Sequence, residues 1–220
     1  MKDLVIFGIG QIAEVMHYYF THDAGRKVTA FTVDAEYRAA TELFGVPVVD
    51  FEELTASYPP ETHELFIAIG FRQVNRAREE KVRAAEALGY SLASHVHSKA
   101  VVWSDFVLQP NTMIMENNVI QPYVSVGKNV IMWSGNHVGH HTSIADHCFI
   151  ASHAVISGSV VLGEGSFVGV NATIRDNVRI GARNVLGAGT LILNDTPANA
   201  VFMGPATEMS RVPSNRLRSI

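Results

Sequence analysis

Histidine is the residue type in this 220-residue chain best suited to chemistry at neutral pH, and the chain has ten of them. A neutral imidazole can accept a proton or bind a metal ion. His140 and His141 are adjacent, whereas His141, His147 and His153 follow one another at intervals of six residues. Adjacent histidines suit proton transfer, and a regular spacing invites comparison with zinc sites. Which chemistry they support depends on the elements that carry them.

A turn with two glycines near the N-terminus is the second chemical feature. It follows an apolar run and opens a helical pattern, a context in which backbone N–H groups at a helix N-terminus bind phosphate. A full dinucleotide fold needs two such halves and roughly ninety residues supply one, which disfavours an NAD enzyme. The alternative is a tight turn that requires small residues. The candidate substrate-binding residues at this edge are Gly8, Gly10, Gln11, Asp34, Gly70 and Arg72.

Residues 1–92 alternate between short apolar runs and amphipathic helical patterns. This alternation predicts a small α/β domain with a parallel sheet whose connections cross over through helices. The predicted strands are Leu4–Phe7, Val28–Val33 and Leu65–Ile69, and the predicted helices are Ile12–Phe20, Phe51–Ser57 and Val74–Leu88.

A period of six residues begins after this domain. Every sixth residue from Val96 to Ile192 is aliphatic or Met, over seventeen positions without an insertion. A parallel β-helix built from hexapeptides requires such a period, and neither an α-helix nor simple alternation does. Four residues after each repeat position lies a second inward position, and Cys148 occupies one, which predicts a core thiol. Asn118 and Asn136 share that second position eighteen residues apart, so they are predicted to stack as an internal amide ladder.

These patterns divide the chain into residues 1–92, a β-helix over 93–197 and a C-terminal cap over 198–220. The cap region loses the repeat and carries Arg211, Arg216 and Arg218. A polar cap over the last coil is expected, because a terminal repeat must shield the core from water.

Composition excludes several classes of function. The net charge of −4 and the lack of a Lys/Arg run argue against nucleic acid and against an anionic membrane surface. No stretch is apolar enough to span a bilayer, and a strand predicted from Asp3 leaves no room for a signal peptide. With a single cysteine, Cys148, no intrachain disulfide can form. A cytoplasmic protein is therefore expected.

The six-residue spacing of the histidines argues against zinc within one subunit. His141, His147 and His153 share one phase of the repeat, so they lie on three different sides of one coil and cannot converge. A zinc site shared between subunits stays open as an alternative. His95 and His97, near the domain junction, are expected to be surface polar residues.

The hexapeptide array, with the block Asn136-His137-Val138-Gly139-His140-His141 and the later Ile156-Ser157-Gly158, resembles the left-handed β-helix acyltransferases. Within that class the chain looks like the sialic acid O-acetyltransferase type, which includes nucleotide-sugar N-acetyltransferases. The resemblance implies an α/β Rossmann-like βαβ domain followed by a left-handed parallel β-helix. It also implies a homotrimer with acetyl-CoA in the clefts between β-helices, and a nucleotide-sugar bound by the N-terminal domain. No metal is expected.

Site residues follow from the same resemblance. His140 falls on the family's general base, and His141 stands where the family often has an acidic residue. Trp133, Ala145 and Phe149 stand where the family often has Asn, Gly and a cofactor-binding His. The implied cofactor contacts are Phe149, Ser157, Gly158, Gly187 and Gly189. Two other functions stay open: a zinc-dependent, carbonic-anhydrase-like β-helix and a non-catalytic nucleotide-binding scaffold.

General-base chemistry adds two expectations. Neighbouring residues at a corner point in different directions, so one of His140 and His141 serves as the base and the other orients it or binds substrate. The tetrahedral oxyanion formed on a thioester needs a donor, and a backbone N–H of the neighbouring coil is expected to supply it.

Overall fold

The computed structural model describes residues 2–216. Met1 and residues 217–220 lie outside the described part, and Arg218 of the expected cap is among them. Within residues 2–216, no helix is both long enough and apolar enough to cross a bilayer.

The N-terminal domain is a six-stranded sheet with helices on both of its faces. Its strands are β1 (Asp3–Phe7), β2 (Val28–Val33), β3 (Glu42–Leu43), β4 (Val46–Asp50), β5 (His63–Ile67) and β6 (Ser91–Leu92). Its helices are α1 (Gln11–His22), α2 (Leu54–Ser57) and α3 (Arg76–Ala87). The strand order is β3-β4-β2-β1-β5-β6, and every neighbouring pair is parallel except β3 with β4. The parallel sheet expected from the alternating pattern is therefore present.

Strand β1 shows why this order of elements folds. Leu4 and Ile6 pack in one cluster with α1, whereas Val5 and Phe7 pack in a second cluster with α3. Because successive side chains of a strand point to opposite faces, an unbroken apolar run needs cover on both sides. The two helices supply that cover.

Short two-residue strands stack in register over residues 95–202 and form a parallel β-helix with a coil of eighteen residues. The coil has three faces, which we name by what lies on them. The docking face contains His95–Val96, Met113–Ile114, Ile131–Met132, Phe149–Ile150, Phe167–Val168, Val185–Leu186 and Val201–Phe202. The apolar face contains Val101–Val102, Val119–Ile120, His137–Val138, Val155–Ile156, Thr173–Ile174 and Leu191–Ile192. The polar face contains Ser125–Val126, Ser143–Ile144, Val161–Leu162 and Arg179–Ile180.

The inward positions match the sequence prediction. From Ile114 to Ile192 each repeat residue is buried in one continuous core. Cys148 is fully buried, and that burial raises the pKa of its thiol to about 12, so it is inert as a nucleophile. The amide ladder is confirmed: Asn136 Nδ2 donates to Asn118 Oδ1 (2.9 Å), and Asn136 Oδ1 accepts from the next coil.

The regular spacing of three histidines has a backbone explanation. His141, His147 and His153 occupy the same position at three successive corners, with φ of 59°, 64° and 60°. Asn129, Asn171 and Asn177 fill the equivalent position at other corners with similar φ. Histidine and asparagine tolerate this left-handed conformation better than most side chains do. The spacing therefore reflects the corner geometry and not a set of converging ligands.

The N-terminal domain covers the docking face. Met113, Ile131 and Phe149 point outward from the β-helix, yet all three are buried in one cluster with Phe66 and Ala68 of the sheet. The contact is apolar and continuous with the core of the domain, so it holds the two units together.

A buried arginine, which the sequence analysis did not identify, links the two units. The Arg78 guanidinium donates to the carbonyl oxygens of Gly70, His147 and Cys148 and to Asn129 Oδ1, at 2.9–3.0 Å. Burial lowers the pKa of Arg78 to about 9, which still leaves it cationic at neutral pH. These bonds compensate for the loss of water around the charge. They fix the edge of the sheet that carries Gly70 against the β-helix.

The structure corrects the expectation that His95 and His97 are surface residues, whereas the expected cap over 198–220 includes the strand that covers the last coil. His95 and His97 are largely buried, and His95 Nε2 lies 2.5 Å from Asp23 Oδ2 at the end of α1. The described part of the C-terminal region, 203–216, is mostly exposed, including Met203 and Met209. The last coil is closed mainly by Val201–Phe202, which pairs with Val185–Leu186.

Candidate active site

His140 and His141 lie at the corner between the apolar face and the polar face, and both are exposed in the single chain. The backbone N–H of His140 donates to Gln121 Oε1 (2.9 Å) of the preceding coil. His141 takes the left-handed conformation at which the chain turns. The corner thus presents two imidazoles at a fixed place on a rigid coil.

Gly158 lies directly above His140, one coil farther on. A Cβ at Gly158 would lie 2.8 Å from His140 Cε1 and 2.9 Å from its Nε2. The imidazole therefore rests on the glycine, and a side chain there would displace it. The first role of Gly158 is therefore to leave room for the His140 ring, a role that the sequence analysis did not predict.

The two imidazoles meet through their Nδ1 atoms, which are 3.1 Å apart. The rings are almost perpendicular, with an interplanar angle of 84°. The His141 ring also packs against Tyr123 of the preceding coil, with centroids 4.7 Å apart. The pair leaves Nε2 of His140 without a bond within the described chain, and that atom can serve as a base.

Backbone donors at this corner are already in use. The N–H of Gly158 donates to Asp176 Oδ1 (2.8 Å), and that of Ser159 donates to the carbonyl of His140 (2.8 Å). The expected oxyanion donor from the neighbouring coil is therefore occupied.

A cavity of about 440 Å³ lies at the carboxyl edge of the N-terminal sheet. Gly8, Asp34 and Arg72, all predicted from the sequence, line it, whereas Gly10, Gln11 and Gly70 do not. Lys81, which the sequence analysis missed, also lines the cavity and donates to Asp34 Oδ1 (2.5 Å). Its ammonium lies 5.0 Å from the ring centroid of Phe7. Two cations, Arg72 and Lys81, and three carboxylates, Asp34, Glu36 and Glu80, line the cavity. The cations can contact phosphate, and a carboxylate can accept from a ribose or base.

The two glycines of the N-terminal turn have different roles. Gly8 has φ of 121°, and a Cβ there would lie 3.2 Å from the carbonyl oxygen of Ala68. Gly10 has no atom within 4 Å of its Cβ position and an ordinary φ of −94°. The fold therefore requires Gly8, whereas Gly10 leaves open space at the N-terminus of α1, where a ligand can approach.

The predicted cofactor contacts lie in three different places. Ser157 and Gly158 share the corner with His140. Gly187 and Gly189 lie at the corner between the docking and apolar faces, where a Cβ on Gly187 would meet Gly204 N at 2.9 Å. Phe149 is 3% exposed beneath the N-terminal domain. Phe149 packs against Phe71 and Phe167, so we remove it from the cofactor site and assign it to domain packing.

The cavity of the N-terminal domain and His140 lie on opposite sides of one chain. The docking face carries the N-terminal domain, and it is the one face that does not border the corner of His140. The apolar face also separates His140 and Gly158 from Gly187 and Gly189. These half-sites cannot join within a single chain.

One group in residues 2–216 has the composition of a metal site. Ligand atoms of Glu79, His147 and Glu164 lie within 4.8 Å of one another. Arg183 donates to Glu79 Oε2 (2.7 Å) and lies 3.6 Å from Glu164 Oε1, and Asn129 contacts His147 Nδ1 at 2.8 Å. A guanidinium already supplies the positive charge between these carboxylates, so the group is an ion-pair network of the domain contact.

Comparisons with known proteins bear on these half-sites. The protein-family model described as bacterial transferase hexapeptide (six repeats) matches residues 159–194. Perosamine N-acetyltransferase from Caulobacter crescentus, solved as a histidine mutant with CoA and GDP-perosamine, is similar with a TM-score of 0.84 at 30% identity, covering 93% of this chain and 94% of that chain. The acetyltransferase domain of PglB from Neisseria gonorrhoeae has a TM-score of 0.83 at 25% identity, covering 95% and 100%. WeeI from Acinetobacter baumannii, at 19% identity and a TM-score of 0.77 over 93% and 97% of the two chains, shows the fold alone. A comparison with curated protein sequences finds no match.

Proposed function

We propose a specific reaction for this chain, which belongs to the hexapeptide-repeat acyltransferases that act on sugars. In this reaction the chain transfers the acetyl group of acetyl-CoA to an amine of a nucleotide-linked amino sugar. The perosamine enzyme, which is 30% identical, is an N-acetyltransferase solved with CoA and a GDP-sugar. Amine acetylation is therefore preferred over hydroxyl acetylation. The observation that carries the proposal is the presence of both half-sites, a nucleotide-sized cavity and an accessible histidine corner.

In this reaction the acceptor amine attacks the thioester carbonyl of acetyl-CoA. His140 Nε2 takes the amine proton as the C–N bond forms, and the proton then passes to the departing CoA sulfur as the C–S bond breaks. The N-terminal cavity binds the nucleotide, with Arg72 and Lys81 near the phosphates and Asp34 near the ribose or base. Open space at Gly10 admits the diphosphate to the N-terminus of α1.

We infer a homotrimer that assembles through the apolar face. Four of the six outward residues of that face are exposed aliphatic side chains, with exposed fractions of 37–63%: Val101, Val119, Val155 and Leu191. His137 and Thr173 are the other two. The docking face is already covered, and the polar face shows mainly Ser125, Ser143 and Arg179. An uncovered apolar row marks an interaction surface, and cyclic symmetry about it closes without forming filaments.

This arrangement also brings the half-sites together. Both corners that border the apolar face then meet their counterparts on neighbouring chains. The His140 corner of one chain faces the corner of Gly187 and Gly189 on the next, and acetyl-CoA binds in the cleft between them. The N-terminal domain beside that second corner brings the sugar toward His140 in trans.

The reaction is tested by steady-state kinetics with acetyl-CoA and a panel of nucleotide-linked amino sugars. We expect His140→Ala to lower kcat by about 10²–10⁴ with little change in acetyl-CoA affinity, as loss of a general base does. We expect Gly10→Val to raise the acceptor KM while the Kd for acetyl-CoA stays the same. Equal loss of donor and acceptor binding in Gly10→Val would contradict the assignment of the N-terminus of α1 to the diphosphate. Full activity of His140→Ala would show that the amine arrives ready to react and that no base is used.

A further inference from the structure

The contact between His140 and His141 imposes a rule on their protons. Two Nδ1 atoms at 3.1 Å can share one hydrogen bond only if one carries a proton and the other does not. If both rings were protonated at Nδ1, two donors would face each other. The tautomer of one ring therefore fixes that of the other.

His140 needs a particular tautomer to act as the base. Its Nε2 must be free of a proton, so the ring proton must reside on Nδ1 and needs an acceptor. Among the hydrogen bonds of residues 2–216, no carboxylate bonds to either ring, because Asp176 is engaged with the Gly158 N–H. The side-chain acceptor within reach of His140 Nδ1 is His141 Nδ1.

We propose that His141 is the positioning residue of the reaction, an uncharged imidazole that accepts the Nδ1–H of His140 while its own proton stays on Nε2. This role rests on the proposed function, since it prepares His140 to take the proton of the acceptor amine. Packing against Tyr123 holds the His141 ring in place, and Gly158 makes room for the His140 ring. No bond is formed or broken at His141, and it donates no proton to the substrate.

The role has a consequence for the pH dependence of the reaction. Protonation of His141 removes its lone pair at Nδ1, so His140 loses its acceptor and its productive tautomer. Two imidazoles then have to be neutral for turnover, where a lone base would require one. Tyr123 packs on the His141 ring from the preceding coil, and Asp176 bonds to the N–H of Gly158, the residue against the His140 ring. Neither accepts the Nδ1 proton.

The variant that isolates this role is His141→Asn. The Oδ1 of asparagine occupies the place of the histidine Nδ1, so it can accept the same hydrogen bond, and it does not titrate. Asparagine also suits the left-handed φ of 59°, as Asn129 and Asn177 show at equivalent corners. We expect a kcat within about tenfold of the wild type, and at the lowest pH a limiting slope of log kcat against pH that is one unit smaller, because one imidazole fewer has to be neutral. Ionisation of the acceptor amine affects both proteins alike and cancels in the comparison.

His141→Ala is the matched variant without an acceptor. We expect it to lower kcat by about 10–100-fold, as loss of a residue that orients a functional histidine does, with the acceptor KM changed less than threefold. Equal slopes in the wild type and His141→Asn, or an unchanged kcat in His141→Ala, would overturn the role of His141. If His140→Ala loses activity while the His141 variants give either of these results, the role of His141 is wrong but the proposed function stands.

A second readout does not depend on turnover. Nitrogen-15 NMR of the histidine rings in the assembled protein should show His140 protonated at Nδ1 and His141 protonated at Nε2. The Nδ1–H signal of His140 should be lost in His141→Ala and retained in His141→Asn. The opposite tautomers in the wild type would overturn the proposal even if the substrate proved to be of another class.

Discussion

At the scale of single residues, the site depends on glycines that have different purposes. Gly139 and Gly158 both lie close to His140 in sequence or space. A Cβ on Gly139 would meet backbone atoms of the next coil, 2.5 Å from Gly158 N. A Cβ on Gly158 would meet the His140 ring, a side chain that can turn away. The first glycine allows the coils to stack, and the second allows the base to sit at the corner.

This difference predicts the effect of Gly158→Ala. The added methyl group should push the His140 ring off its place and lower kcat by at least about tenfold, because a small misplacement of a catalytic group is costly. The melting temperature should change little, since the displaced atoms belong to an exposed side chain. Steady-state kinetics and thermal unfolding on the same samples measure both quantities. Gly139→Ala is the contrasting variant and should lower the melting temperature instead, whereas a wild-type kcat in Gly158→Ala would show that the ring position is irrelevant.

The sequence predicts one glycine of the N-terminal turn better than the other. Spacing alone marks Gly8 and Gly10 as equivalent, because both lie between a strand and a helix. Only the backbone shows that Gly8 has φ of 121° and packs on Ala68, whereas Gly10 is free of contacts. Lys81 escaped prediction because it lies in a charged helix, where nothing in the sequence distinguishes a cation at the cavity from one in water.

At the scale of elements, periodic features were predictable and non-local contacts were not. In the β-helix every sixth residue faces the core and must be apolar, so the same requirement recurs in each repeat and is visible in the sequence. The hairpin of β3 and β4 was missed because β3 has two residues and β4 contains Pro47, which gives no alternating pattern. The contact of Asp23 with His95 and Ser98 joins residues more than seventy positions apart. Asp, His and Ser are each typical of a protein surface, so the sequence alone did not predict that these three residues meet.

That contact joins α1 to the first coil of the β-helix. The Asp23 carboxylate accepts from the backbone N–H of Ser98 (2.9 Å), from the Ser98 hydroxyl and from His95 Nε2. Burial acts to raise the pKa of Asp23, but the bonds from Ser98 and His95 outweigh it and lower the pKa to about 2. A carboxyl group whose pKa is lowered on folding stabilises the folded state above its unfolded pKa, near 3.8. The contribution is lost as the pH falls from about 4 toward 2.

Asp23→Asn should therefore destabilise the protein at neutral pH by about 1–3 kcal/mol, the range for hydrogen bonds to a buried charged group. For a chain of this size that corresponds to a melting temperature lower by roughly 2–4 °C per kcal/mol. The difference from the wild type should shrink as the pH falls from about 4 toward 2. Asp3→Asn is the control, because Asp3 pairs with Lys27 at the surface, where such a pair contributes less than about 1 kcal/mol. An equal effect of the two substitutions would show that the contact does not couple the units.

At the scale of the whole molecule, the three faces of the β-helix differ in their surface and in what covers them. One is covered by the N-terminal domain, one is polar and one presents an uncovered aliphatic row. Covering the docking face places the nucleotide cavity away from the corner of His140 in the same chain. The proposed reaction therefore requires neighbouring chains, and this requirement can be tested without any further structural information.

The test mixes two impaired variants and is run at an acceptor concentration well below the KM of Gly10→Val, where each variant alone is nearly inactive. His140→Ala chains retain the nucleotide cavity, and Gly10→Val chains retain the base, so a site built from two chains can combine the intact half of each. With random assembly of equal amounts, one site in four takes His140 from a Gly10→Val chain and the cavity from a His140→Ala chain. We expect a mixture refolded or co-expressed together to regain about a quarter of wild-type activity, because cyclic assembly pairs each half-site with that of a neighbour.

The control adds Val155→Asp to both variants, which places charge in the aliphatic row and should yield monomers by light scattering and no recovery. Absence of recovery in mixed trimers would mean that each chain completes its own site. Val155→Asp chains that still form trimers and regain activity would exclude the apolar face as the interface.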